Sequence, residues 1–330
     1  MTITPRDRRI LATIENLRYL TTSMIALLFW GRQTSAAHVR LKLLHDAGYL
    51  DKLRPRVSAS DASREWIYRL SQRGWHDIVA LDETNSHEPY RPADLTSISY
   101  LEHDLQLNAL ILHIAALAAS EHGWKQGSGR LLDHIPFTIL GPRTGIIDPK
   151  REVRATNASA AASLGDRRVR HEAATAGRLE PDATLLGTDS EGRQTAVMIE
   201  YDRTQRPAKQ TQKLRRYDHF LTAGWRDTRY AALDIEPAVL FVCANDALIP
   251  GFVSEANKCL TAWHAEPGAA RHAGEHAGRE QVAITSRSRL LQCDWRVAQA
   301  PAITQLATTG ARRRPRSVET VFTLPRLFTA

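Results

Sequence analysis

Asp182, Glu200 and Asp202 are the residues of this chain whose types and spacing best suit chemistry at a phosphate. Pro181-Asp182 leads into the apolar run Ala183–Leu186, and the turn residues Gly187, Asp189, Ser190 and Gly192 follow. A strand-like run, Thr195–Ile199, then ends in Glu200-Tyr201-Asp202. Two strands joined by a tight turn make a hairpin, which sets Asp182 beside the Glu200/Asp202 pair at one end. Strand side chains alternate, so Glu200 and Asp202 share a face while Tyr201 turns to the other. Converging carboxylates make a hard, oxygen-rich site of the kind magnesium or manganese prefers. A metal held there activates water and offsets charge developing on a phosphate. The plainer alternative is that Glu200 and Asp202 pair with Arg203, Arg206 or Lys209, a surface salt-bridge set of little energetic consequence.

A basic helix, Lys209–Tyr217, follows the acids. Lys213 and Tyr217 are four residues apart and share one face, and Arg215 and Arg216 on the same helix are candidate DNA contacts. The candidate catalytic set is therefore Asp182, Glu200, Asp202, Lys213 and Tyr217, the three acids being the metal ligands. Tyr217 is a weak candidate nucleophile, and Tyr201 a weaker one because alternation turns it away. Other chemistries fit less well. No His-x-His pair exists for a histidine-metal relaxase, and no glycine loop of the GxxxxGK[ST] type exists to cradle phosphates. His272-Ala-Gly-Glu-His276 matches a zinc-peptidase pattern, but Gly268, Gly274 and Gly278 break up the helix that pattern needs, so it reads as a loop.

The chain has 330 residues, 43% of them apolar, enough for two domains with packed cores and too apolar for global disorder. The formal charge of +8 and a pI near 9.6 call for an anionic partner, nucleic acid or an acidic membrane surface. Residues 1–58 hold ten Lys/Arg against four Asp/Glu, residues 203–229 hold eight against two, and Arg312–Arg316 adds a short run. Separate basic patches suit an extended polyanion, so DNA is the expected partner and a membrane is not. For any single patch, solvated surface is the bland reading. Cys243, Cys259 and Cys293 show no CxxC pairing. The N-terminus lacks the apolar stretch of a signal peptide, and Met24–Trp30 is too short to cross a bilayer, so a cytoplasmic protein is expected.

The amino-terminal elements repeat a familiar order. Thr4-Pro5 opens a helix carrying Ile10, Leu11, Ile14 and Leu17. Thr21-Thr22 caps a second, interrupted at Gly31, and a third runs from about Thr34 to Ala47 and ends at Gly48. Tyr49-Leu50 and Trp66–Leu70 then read as two strands joined by a basic loop, before another helix near Ser71. This is the order of a winged helix-turn-helix, whose third helix enters the major groove while the wing touches the backbone. Ser35, His38, Arg40 and Lys42 are the groove or phosphate candidates, with Arg54 and Arg56 on the wing. A winged helix used for protein contacts is the alternative. A homodimer is an open expectation, with no heptad pattern to argue for it.

The expected fold class is α/β (α+β) with two domains. Residues 1–82 form the winged helix-turn-helix and 83–98 a linker. Residues 99–310 form a mixed sheet flanked by helices, with a flexible insertion at about 150–170, and 311–330 form a basic tail. Tyr100–Ala119 reads as a long helix that is apolar nearly all round, expected to lie buried between the domains.

Pro181-Asp182, a hairpin, and Glu200-x-Asp202 resemble the PD-(D/E)xK nuclease superfamily, which implies a restriction-endonuclease-like fold for the second domain. The resemblance implies that Asp182 and Glu200 bind magnesium. Asp202 stands where the superfamily has its lysine. Lys213-Leu-Arg-Arg-Tyr217 is similar to the QxxxY element of recombination-type members, with lysine in place of glutamine, and that lysine can reach the site instead. The whole chain resembles the replication-relaxation family of plasmid and integrative-element proteins, on Tyr68–Gly74, Leu101–Leu105, Pro181-Asp182, Ile199–Thr204 and Lys213–Tyr217. That resemblance implies work on plasmid or mobile-element DNA. Two readings follow: a magnesium- or manganese-dependent DNA endonuclease or nickase, or a non-catalytic replication initiator or transcriptional regulator on a nuclease-like scaffold.

Overall fold

A computed structural model describes residues 1–54, 65–80, 98–142, 144–148, 178–189, 191–204, 206–260, 279, 281–294, 296–299 and 318–321. Arg56, residues 83–97 of the linker, the whole insertion at about 150–170, His272–His276 and Arg312–Arg316 lie outside them. The chain divides into two compact units, Met1–Thr144 and Gly145–Phe328. The division therefore falls well after the 83–98 linker where the sequence reading places it. Among the described residues no helix is long and apolar enough to cross a membrane.

In the first unit, α1 (Pro5–Leu17) starts with a reciprocal cap between Thr4 and Asp7. The short β1 (Leu20–Thr21) precedes α2 (Thr22–Trp30), which Thr21 caps and which stops where Gly31 turns left-handed at φ 56°. Next come α3 (Thr34–Asp46), β2 (Leu50–Leu53), β3 (Ile67–Leu70) and α4 (Gln72–Ala80). Both β1 and β2 pair antiparallel with β3, and β1, only two residues long, is a strand that the sequence reading does not include. Ile10, Leu11, Ile14, Ile25, Leu28, Leu41 and Leu44 are fully or almost fully buried, as helical spacing requires.

The long α5 (Ile98–Glu121) belongs to this first unit, not to the second as the sequence reading has it. The reason lies at Asn108, whose buried amide donates to the carbonyls of Leu17 and Tyr19 at 2.9 and 2.7 Å. Those carbonyls end α1 and lead into β1, so one side chain ties three elements. Leu101 adds an apolar contact to Tyr19 and Ile67. The unit ends with β4 (Phe137–Leu140).

Asp7 is fully buried and receives Arg40 Nε at 2.7 Å, besides the Thr4 N–H and hydroxyl at 2.7 Å. Burial pushes its carboxyl up, but the bonds from Arg40 and Thr4 outweigh that and hold it below its ordinary 3.8. A carboxyl depressed in the folded state contributes stability above its unfolded pKa, and that contribution fades as pH falls through the folded value. Arg40→Met is therefore expected to melt earlier than the parent near neutral pH, with the gap closing as pH drops below 3.8. Melting curves across that range test it; a gap independent of pH would dismiss the ion pair as its cause.

Among the described residues, the second unit contributes six strands to a mixed sheet. They are β5 (Ala183–Thr188), β6 (Gln194–Asp202), β7 (Ala238–Cys243), β8 (Val282–Ser286), β9 (Arg296–Gln299) and β10 (Val318–Val321), in the order β10-β9-β8-β7-β6-β5. The central β6, β7 and β8 run parallel, while β5, β9 and β10 pair antiparallel with their neighbours. Val318–Val321, read from sequence as part of the tail, is a strand at one edge of the sheet, its backbone paired in register with β9. Among the described residues, α6 (Thr211–His219), α7 (Ile249–Cys259) and the short α8 (Arg287–Leu291) accompany the sheet. Leu214, Tyr217 and Phe220 from α6 and its extension, with Phe252 and Val253 from α7, pack on Met198, Val239, Phe241 and Ile284. All six residues of β7 are buried, as a central parallel strand demands.

Candidate functional site

The β5–β6 hairpin forms as its alternation requires, with Ala183 opposite Ile199, so Asp182 stands one step further on, level with Glu200. Asp182 Oδ2 accepts the Tyr201 N–H at 2.7 Å, which seats the carboxylate at the strand end. Glu200 has the parity of Ala196 and Met198 and faces the helix side of the sheet, with 2% of its surface exposed. Tyr201 takes the opposite face and is buried as well.

The helix completes the arrangement. Leu214 and Tyr217 anchor α6, and Tyr217 meets Phe241 edge-on at 5.9 Å between ring centres. Being four residues apart, Lys213 and Tyr217 reach the same carboxylate: Lys213 Nζ donates to Glu200 Oε2 and the Tyr217 hydroxyl to Oε1. Glu200, Lys213 and Tyr217 thus form one hydrogen-bonded cluster with Asp182 at its side. Burial lifts the Glu200 carboxyl well above its usual range, beyond what the attraction of Lys213 offsets. Burial also works against charge on Lys213, but Glu200, Asp182 and Asp202 together raise its ammonium above the ordinary lysine value. Tyr217 is pushed well up by burial and by the neighbouring Glu200. A fully buried phenol already bonded to a carboxylate is poorly placed to attack a phosphate.

Asp202 is held apart from the cluster. Its Oδ1 accepts the Thr204 N–H, and its Oδ2 accepts the Gln210 side-chain amide at 2.6 Å. Gln210 escapes a sequence reading, because nothing in Lys209-Gln210-Thr211-Gln212-Lys213 favours one glutamine over the other. A divalent cation needs several free carboxylate oxygens. Here both oxygens of Glu200 and both of Asp202 are engaged, as is one of Asp182. Among the described residues no group of three or more His, Cys, Asp or Glu side chains is placed to hold a metal ion. The residues as arranged do not fit magnesium or manganese, unlike the three-acid cage expected from the sequence.

Asp182 and Lys213 open onto a recess of about 600 Å³, whose other lining residues include Arg178, Lys209, Gln210 and Arg216. Lys209, Arg215 and Arg216 are exposed, and Arg178 pairs with Glu180 at 2.7 Å.

In the first unit, α3 exposes Ser35, His38 and Lys42, and Lys42 also pairs with Asp46. Arg40 is turned to Asp7 instead. Val39 and Leu43 are 61% and 44% exposed on the same helix, apolar residues that a search for polar contacts passes over. Arg54 stacks over Trp66 at 5.1 Å, with Lys52 over the same ring at 5.0 Å.

A family model for replication-relaxation proteins matches residues 11–234. No curated protein and no solved structure matches the chain. The matched span holds nearly all of the first unit and, in the second, Asp182, Glu200, Asp202, Gln210, Lys213 and Tyr217. The chain belongs to the replication-relaxation family.

Proposed function

We propose that this protein is a DNA-binding factor of plasmid or mobile-element replication and relaxation. In this reading the first unit is a winged helix-turn-helix: α3 is the groove helix, and β2 and β3 carry the wing. The second unit is a PD-(D/E)xK-like scaffold that presents its basic recess to a DNA phosphate. The observation that carries the reading is Lys213, delivered by α6 onto Glu200 beside Asp182, at a recess lined by Lys209 and Arg216. A phosphodiester placed there meets cations from one helix face, and Ser35, His38 and Lys42 supply contacts on the other unit.

A second reading, a DNA nickase, is favoured by the same gathering of Asp182, Glu200 and Lys213. It has topological sense too, because a closed supercoiled duplex relaxes only when a strand is interrupted. The test is incubation of supercoiled plasmid with magnesium or manganese, wild type beside Asp182→Asn and Glu200→Gln. Salt-sensitive DNA binding retained by both variants, with no nicking in any metal, is the expected result. Lys42→Ala and Arg216→Ala should each lower the slope of log affinity against log salt by about 1. Metal-dependent nicking by the wild type, lost in both carboxylate variants, would overturn the binding-only reading and establish the nickase.

A further inference from the structure

We infer that Lys213 is the resident cation of the acidic centre, its ammonium holding the place of a divalent ion and closing a latent metal site. The inference rests on the scaffold reading above but concerns only which cation the carboxylates hold. Lys213 Nζ is bonded to Glu200 Oε2 and lines the same recess as Asp182, so one ammonium serves the acidic end of the hairpin. The lysine is not a loose surface chain. Leu214 and Tyr217, both fully buried, set the rotation of α6, and the Tyr217 hydroxyl occupies the other oxygen of Glu200. A metal ion entering the centre would have to break the Lys213 bond and then share the pocket with a displaced ammonium. Like charges confined to a partly buried site repel, so the ammonium disfavours entry of the ion.

Removing that charge while keeping the stem should open the site. Lys213→Met leaves Asp182 and Glu200 without their neighbouring cation and frees Glu200 Oε2. Manganese titration of the full chain, followed by calorimetry and by melting temperature, reads this without DNA or activity. The wild type is expected to show no saturable binding at millimolar manganese. Lys213→Met should bind a single ion at least about tenfold more tightly and melt later in its presence.

Saturable binding by the wild type that Asp182→Asn abolishes would overturn the inference, as would a folded Lys213→Met that binds no ion. Should Lys213→Met fail to fold, Lys213→Gln takes its place, and the wild-type titration still decides. Because neither readout involves DNA, a failure here leaves the DNA-binding reading standing. Loss of DNA binding, in turn, leaves the cation assignment untouched.

Discussion

Gly74→Ala is expected to destabilise the first unit by about 3 kcal/mol or more, enough to unfold it in a marginal protein. The methyl group would lie 2.3 Å from the Tyr49 carbonyl oxygen and 2.8 Å from Leu70 Cδ1. The leucine can give way, but the carbonyl cannot. Tyr49 O accepts the Ser71 N–H at 3.1 Å, and the Ser71 hydroxyl donates to Gly48 O at 2.6 Å while accepting the Gly74 N–H at 3.0 Å. Ser71 thus pins the start of α4 to the segment entering β2, and the helix passes so close that residue 74 has no room for a side chain. At Gly224 an added methyl would sit 3.8 Å from its nearest neighbours, so Gly224→Ala is the matched control with little expected change. Denaturation followed by circular dichroism compares the two. Equal curves for Gly74→Ala and the parent would refute the close approach.

The second large effect is expected at Glu200. Glu200→Ala should cost about 3–5 kcal/mol, because it leaves an ammonium and a phenol without their acceptor in a low-dielectric interior. Tyr217 is fully buried, so its hydroxyl has no route to water. Lys213 keeps about a third of its side chain exposed and can partly swing out, which places the cost toward the lower end of that range. Glu200→Gln retains an acceptor for one partner and should lose less. The double variant Glu200→Leu/Lys213→Met removes both charges together and should recover much of the loss, since buried ion pairs are often matched by apolar residues of similar volume. Urea denaturation of the set gives the ranking. If Glu200→Ala were no less stable than Glu200→Gln, the cluster would not be part of the folded core. The same ranking explains why isosteric variants belong in the plasmid assay, where a truncated side chain would confound lost chemistry with lost structure.

Much of this protein was legible from its residues alone. Thr4, Thr21 and Gly31 mark helix boundaries because capping is local chemistry, and each acts at the predicted end. The β5–β6 hairpin, the opposed faces of Glu200 and Tyr201, and the shared face of Lys213 and Tyr217 follow from backbone periods that hold whatever the surroundings. Those periods set Asp182 beside Glu200 and Lys213 beside Tyr217, while only the resemblance to the nuclease superfamily implied that the helix reaches the acids. Which groups actually pair is another matter. Arg40 meets Asp7 across 33 residues, although its sequence context on a basic helix reads as a DNA contact. Asn108 bonds the end of α1 from 91 and 89 residues away and draws α5 into the first unit. Gln210 captures Asp202, and Lys213 with Tyr217 takes both oxygens of Glu200, so a set of acids expected to hold a metal is already engaged. The sequence by itself determined the elements and the faces they present, because those depend on neighbours three or four residues away. Only the tertiary structure decided the partners, because burial makes each polar group satisfy itself with whatever the packed chain brings within reach.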